Sequence, residues 1–248
     1  MVTRSKVKSS LKGSLKDAFR GSLKGSLTNQ GSLFAYKSDV EKSGHYTAWG
    51  KRLFDIVFAL IILVLLSPIY LVIAILILIS SRGSVLYVHP RVGLNGREFN
   101  CLKFRTMVTG ADRFLEDYLN SCPISRAEYE ASFKLKCDPR ITKIGKFLRV
   151  TSLDELPQFW NVLLGDMSVV GPRPLVQAEL VRYGEAIAQV LSVRPGIAGI
   201  WQVSGRNDLP YSRRIHLDAS YVRRMGFGFD LWLIFRTILV VICPRGAY

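Results

Sequence analysis

Residues 53 to 79 read LFDIVFALIILVLLSPIYLVIAILILI, and no other stretch restricts the fold as strongly. As one straight helix this run measures about 40 Å, more than the roughly 30 Å of a bilayer's hydrocarbon core. Its length excludes an ordinary core helix of a soluble protein. Ser67-Pro68 interrupts the run near its middle. Pro68 has no N–H for the carbonyl of Val64, and its ring clashes there, so the helix kinks or breaks. Each half then spans about 20 Å, too short to cross. Lys51 and Arg52 precede the run and Arg82 follows it, so flanking charge sets no orientation. Two arrangements stay open: a tilted, kinked span, which tolerates proline, and a re-entrant hairpin of helices with both ends on one face.

The rest of the composition points the same way. The 248 residues carry a formal net charge of +15 and are 49% hydrophobic. Nucleic-acid binders are commonly basic but poor in long apolar runs, so the combination favours a surface of anionic lipid. The four cysteines form no CxxC and the three histidines are scattered, which argues against a disulfide framework or a zinc site and fits a reducing compartment. The N-terminus lacks the apolar core of a cleavable signal peptide.

Three parts follow. Residues 1–47 form a basic, low-complexity tail in which Ser, Gly and Lys dominate, and the composition predicts disorder. A second reading of the tail is a helix folding on anionic lipid. Leu11, Leu15, Phe19, Leu23 and Leu27 recur every fourth residue, with Lys12, Lys16, Arg20 and Lys24 beside them. Residues 48–82 are the membrane helix pair. Residues 83–248 are mixed. VLYVHPRVGLNGREFNCLKFRTM has the alternation and the Leu-Asn-Gly turn of a β-hairpin. ADRFLEDYLNS, SRAEYEASFKLK and LVQAELVRYGEAIAQVLSV read as helices, and RPGIAGIWQVSGR as a loop. GFDLWLIFRTILVVIC reads as an apolar C-terminal helix that carries Asp230 and Arg236 and lies against the membrane element.

The chemistry centres on SLDELPQ, residues 152–158. Ser152 and Glu155 have capping-box spacing, and Pro157 suits a helix start, so the two acids serve a helix N-terminus on the plainest reading. Asp154 and Glu155 point roughly 100° apart on a helix, so they cannot act as one paired acid. They can act separately, one attacking an electrophile and one holding a divalent cation. Mg²⁺ takes one or two carboxylates together with substrate phosphates and water. Cations to neutralise phosphate stand in short motifs: Lys103 and Arg105 in KFRTM, Arg140 in DPRIT, Arg149, Arg173 in GPRP, Arg194 in RPG and Arg206 in SGR. The plain alternative for any one of them is a basic surface facing lipid headgroups. Pro172 and Pro174 stiffen the backbone on either side of Arg173.

KFRTM, DPRIT, SLDELPQ, MSVVGPRP and RPGIAGIWQVSGR occur in this order after the apolar pair. On these motifs residues 48–248 resemble the bacterial sugar transferase family, the monotopic polyprenyl-phosphate hexose-1-phosphate transferases. The nearest branch primes succinoglycan-type exopolysaccharide with galactose 1-phosphate, and the ending CPRGAY adds to that likeness. The resemblance implies a small membrane-associated α/β domain with a re-entrant membrane helix and peripheral amphipathic helices. The Ser67-Pro68 break matches the family's and favours the re-entrant form. It implies that Asp154 is a nucleophile, that Glu155 binds Mg²⁺, and that Arg149 grips phosphate, while Pro172, Arg173 and Pro174 match the family's Pro-Arg-Pro. The implied reaction moves hexose 1-phosphate, galactose before glucose, from UDP-hexose to undecaprenyl phosphate, with UMP released. The implied place is the cytosolic face of a bacterial inner membrane, and a homo-oligomer is compatible with it. One position departs: Ala198 stands where the family often has threonine, so a hydroxyl contact is lost there.

Three other classes are weighed against this. A metal-dependent glycosyltransferase that moves only the sugar often carries Asp-x-Asp, which is absent here. A non-catalytic scaffold of a polysaccharide assembly complex needs no clustered acid and arginine loops. Nucleic-acid binding lacks a helix-turn-helix or aromatic-basic signature, and neither GxGxxG nor GxxxxGK[ST] occurs.

Overall fold

The apolar run forms two helices, α1 (Ala48–Leu65) and α2 (Ser67–Ser80), bent by 61° at the expected place. The carbonyl that Pro68 cannot serve is satisfied locally: Ser67 Oγ donates to Val64 O at 2.8 Å. The break therefore leaves that carbonyl paired, and Pro68 opens α2 where its missing N–H is harmless. No single described helix is long and apolar enough to cross a membrane; by length and composition the bent pair is the one candidate among the described residues. The computed structural model describes residues 48–132, 135, 138–205 and 209–242. Both readings of the 1–47 tail, and Arg206, lie outside these residues.

After α2 comes the expected hairpin, β1 (Leu86–Val92) antiparallel to β2 (Glu98–Phe104), turning through Asn95 and Gly96 at positive φ. Among the described residues no third strand joins β2. Instead Asn161 does a strand's work: its Oδ1 accepts from Leu102 N at 2.9 Å, and its Nδ2 donates to Asn100 O at 2.8 Å. The buried amide of Asn161 thus pairs backbone groups that would otherwise be orphans. Helices α3 (Ala111–Ser121) and α4 (Pro123–Ser132) follow. Then come α5 (Lys143–Thr151), a 3₁₀ turn (Leu153–Glu155) and α6 (Gln158–Leu164).

A second small sheet pairs β3 (Ser168–Val170) in parallel with β4 (Gly196–Ala198). RPGIAGIWQVSGR is therefore not a plain loop. Its glycines let backbones meet, and it supplies β4 and α9 (Ile200–Val203). A Cβ on Gly196 would lie 2.0 Å from Gly171 N, so only glycine fits there. Residues 175–193, expected as one helix, are instead a 3₁₀ turn (Gln177–Glu179), α7 (Leu180–Tyr183) and α8 (Ala186–Val190). Gly184, at φ 51 and ψ −130, breaks the run with a conformation that favours glycine. Helix α10 (Tyr211–Arg224) has no counterpart in the sequence reading. The last described helix, α11 (Phe227–Ile242), forms as expected.

Two features seat the membrane-type helices on the rest. The buried face of α2, Ile73 and Ile77, packs with Phe104 and Leu148, and Leu153 and Leu156 close over that cluster. Helix α1 is held by polar bonds. Asp55 accepts from Val169 N and Ser168 Oγ, each at 3.0 Å, and Lys51 Nζ lies 2.6 Å from Asp230 of α11.

Candidate active site

Asp154 and Glu155 sit on the 3₁₀ turn between α5 and α6. The capping box expected from Ser152 does not form. Helix α5 runs to Thr151, so Ser152 ends it in the left-handed region, at φ 59, and its side chain makes no capping bond. Glu155 is drawn to Lys103 instead, Oε1 lying 2.6 Å from Nζ. The same ammonium is 4.0 Å from Asp154 Oδ2. Lys103 reaches both acids because β2 runs beside the turn, with Asn161 holding α6 to the strand.

The two carboxylates differ in surroundings. Asp154 is pushed up to about 6, first by burial and then by Glu155, while Lys103 and Arg149 pull it down. Glu155 is more exposed and lines an open cleft with Arg91, Cys101, Lys103, Gln158, Arg173, Pro174 and Gly196. Asp154 is not among the residues that line it, and its charge couples to Lys103 and Arg149. Arg149 Nε donates to Thr106 Oγ1 at 2.9 Å, and the carboxylates of Asp154 and Asp138 offset its burial. Arg140 makes a two-pronged pair with Asp138, at 2.8 and 2.6 Å. That pair occupies Arg140 and leaves Arg149 to face Asp154.

Arg173 projects from the loop after β3. Its guanidinium lies 5.1 Å from the centre of the Trp201 ring, and Arg214 is 5.2 Å from the same ring. The backbone of Arg173 donates to Asp218, which burial raises to about 7 against the pull of Tyr183, the Arg173 amide and the Arg173 charge. Pro172 is fully buried, and Gly196 N donates to its carbonyl at 2.8 Å, so the Pro-Arg-Pro segment is anchored from β4. Asp218 belongs to α10, the helix the sequence reading lacked.

The structure thus brings Lys103, Arg149, Asp154, Glu155, Arg173 and Pro174 together. Two further expected phosphate ligands bond to backbone carbonyls. Arg105 donates to the carbonyls of Ser81 and Arg82, where it ties down the end of α2. Arg194 Nε donates to Gly165 O at 2.8 Å, just past the end of α6. Free helix-end carbonyls explain both. Ala198 is buried in β4, and its carbonyl accepts from Gly171 N, so this position serves strand pairing. Arg91 was missed; its lone place in a hairpin strand carries no signal until β1 and β2 are paired.

Among the described residues no group of three or more His, Cys, Asp and Glu is placed to hold a metal by protein ligands alone. The dyad nonetheless suits Mg²⁺, which draws most of its ligands from phosphate and water. Lys103 already places a cation 2.6 Å from Glu155.

Residues 46–244 match the family model described as bacterial sugar transferase, and the chain belongs to that family. It is 50% identical over 204 residues to a "UDP-galactose-lipid carrier transferase" of Erwinia amylovora, covering 82% of this chain and 43% of that protein. It is 47% identical over 198 residues to the "Exopolysaccharide production protein ExoY" of Rhizobium meliloti, covering 80% and 88%. It is 48% identical over 198 residues to the "Undecaprenyl-phosphate galactose phosphotransferase" of Salmonella typhimurium, covering 80% and 41%. The chain thus spans less than half of the Erwinia and Salmonella relatives and most of the Rhizobium one.

Proposed function

We propose that this chain transfers hexose 1-phosphate from a UDP-hexose to undecaprenyl phosphate, as an early step of exopolysaccharide assembly. Galactose is the first choice of hexose, in keeping with the printed names of the Erwinia and Salmonella relatives, and glucose is the second. The observation that carries the reading is Asp154, a half-buried carboxylate raised towards neutrality, beside a cation-lined cleft and coupled to Lys103 and Arg149.

The mechanism balances in two displacements. An oxygen of ionised Asp154 attacks the sugar-bearing phosphorus, the bond from that phosphorus to the bridging oxygen breaks, and UMP leaves with the electron pair. A phosphate oxygen of undecaprenyl phosphate then attacks the same phosphorus, and the Asp154 carboxylate departs. Lys103 bridges the two acids, so a phosphate drawn onto its ammonium comes within reach of both. Arg149 stabilises negative charge on the Asp154 side, and Arg173 does so across the cleft. Mg²⁺ held at Glu155, with Asp154 beside it, supplies charge neutralisation to the phosphates when bound.

The exposed apolar faces of α1, α2 and α11 support a membrane seat for the domain. Val64 and Ile79 are 72% and 78% exposed, and Phe235 and Ile242 are 58% and 69% exposed. Such a surface is far from that of a soluble monomer. With α1 and α2 as a re-entrant pair, the cleft opens at the cytosolic face of the inner membrane, where a soluble nucleotide sugar meets a lipid-borne acceptor.

The test is nucleotide release by the purified full chain in nanodiscs with Mg²⁺ and undecaprenyl phosphate, UDP-galactose and UDP-glucose run in parallel. UMP release, lost in Asp154→Asn, is expected, and intact-mass analysis without acceptor should show one hexose phosphate added. An adduct that survives Asp154→Asn but not Glu155→Gln would reverse the roles of the two acids. UDP release, or none from either donor, would overturn the reading.

A further inference from the structure

Arg91 is the least expected residue of the cleft. It comes from β1 and is 9% exposed. It lines the same cleft as Lys103, Glu155 and Arg173. An arginine so placed normally has a carboxylate against it. Arg91 has only weak partners. NH1 donates to Pro174 O at 3.2 Å and lies 4.0 Å from Glu179. NH2 makes a long hydrogen bond to His89 Nδ1, at 3.4 Å. Nε is buried without a hydrogen-bond partner.

Its surroundings are also short of negative charge. Burial lowers the pKa of Arg91 and the charge of Arg173 lowers it further, with only Cys101, Glu179 and Glu155 opposing. His89 cannot help as an acid, and it is itself pushed below its ordinary range by burial and by Arg91, Lys103 and Arg173. A neutral imidazole that accepts at Nδ1 is the state in which His89 steadies Arg91. Two guanidiniums and an ammonium therefore face one cleft, and Glu155, its one acid, is already held by Lys103 at 2.6 Å. Forked donors in this arrangement match the oxygens of a phosphate group.

We propose that Arg91 and Arg173 frame a second phosphate subsite, which holds the phosphate of the departing nucleotide while Lys103 and Arg149 attend the phosphate under attack. The assignment rests on the transferase reading above. It gives the two phosphates of the donor separate cations. His89 and Glu179 are positioning residues, which act on phosphate through Arg91.

The experiment uses the full chain in nanodiscs with UMP as the probe. Wild type, Arg91→Gln, Arg91→Lys and His89→Leu are compared, with Arg113→Gln as a charge control from the exposed face of α3. The readouts are the melting shift produced by UMP, inhibition of turnover by UMP, and KM and kcat for the UDP-hexose. Arg91→Gln should weaken UMP binding at least about tenfold, in line with loss of a buried charged contact, and should raise KM more than it lowers kcat. Arg91→Lys should recover part of the loss, His89→Leu should show a smaller loss, and Arg113→Gln should match wild type. Unchanged UMP binding in Arg91→Gln would overturn the proposal while leaving the transferase reading intact. If Arg91→Gln does not fold, Arg91→Lys decides: wild-type UMP binding and KM would overturn the subsite. If wild type itself neither binds UMP nor releases it, the transferase reading fails, and the subsite fails with it.

Discussion

The ammonium of Lys51, in the first described helix, lies 2.6 Å from a carboxylate oxygen of Asp230, in the last. Asp55, one turn further along α1, is 3.3 Å from the same ammonium. Tyr221 donates to the other Asp230 oxygen at 2.9 Å. Lys51→Met strands two buried carboxylates. It should cost about 3–5 kcal/mol, the usual loss when a buried pair loses one member. Thermal or denaturant unfolding in detergent reads the loss directly, and a change below about 1 kcal/mol would mean that solvent reaches the pair.

Asp154 predicts a trade between function and stability. Its folded pKa, about 6, lies above the ordinary value of 3.8, so ionising it works against the fold. The penalty is absent below pH 4, grows as pH rises towards 6, and is complete above that. Asp154→Asn removes it and should stabilise the protein by on the order of 2 kcal/mol at pH 8, with little gain at pH 4. Melting curves at the two pH values check this, and equal gains at both would contradict it.

On the proposed mechanism, the same carboxylate sets an acid limb on activity. Attack needs the ionised form, so kcat/KM for UMP release should fall as pH drops through about 6. Lys103 and Arg149 hold that pKa down. Lys103→Met should therefore move the limb to higher pH as well as slow turnover. A limb that stays in place would show that Asp154 is not the titrating group.

Gly196→Ala tests the backbone that anchors Pro172-Arg173-Pro174. The new methyl would meet Gly171 N at 2.0 Å and Gly171 Cα at 2.6 Å, both backbone atoms. The strand pair has no flexible side chain to give way. A loss of about 3 kcal/mol is expected, at the upper end of overpacking costs, together with loss of nucleotide binding. Near-normal stability and binding in this variant would show that β3 and β4 can separate without harm.

What was legible in the sequence followed from local rules. The break at Ser67-Pro68 is forced by a missing N–H, and the hairpin turn by Asn95 and Gly96. The dyad and most of its cations stood in short motifs. What was not legible depended on distant partners. Ser152 has capping spacing, but the helix before it ends on that residue. The carbonyl bonds of Arg105 to Ser81 and Arg82, and of Arg194 to Gly165, carry no local signal in the sequence. β4 is only three residues long and exists because β3 pairs with it. Helix α10 carries four Arg and a His along its polar side, which masks the buried stripe of Asp218, Ala219, Tyr221 and Val222.

Tyr70 of α2 donates its hydroxyl to the carbonyl of Leu156, the residue that follows the dyad. Its ring packs against Phe104 at 5.6 Å between centroids. Protein contacts thus tie the apolar pair directly to the turn that carries the two carboxylates. On the membrane seat proposed above, the protein would act as a depth gauge: an acceptor phosphate would reach Asp154 when its headgroup rides at the level of the dyad, and a long isoprenoid tail would be selected by where it floats its phosphate.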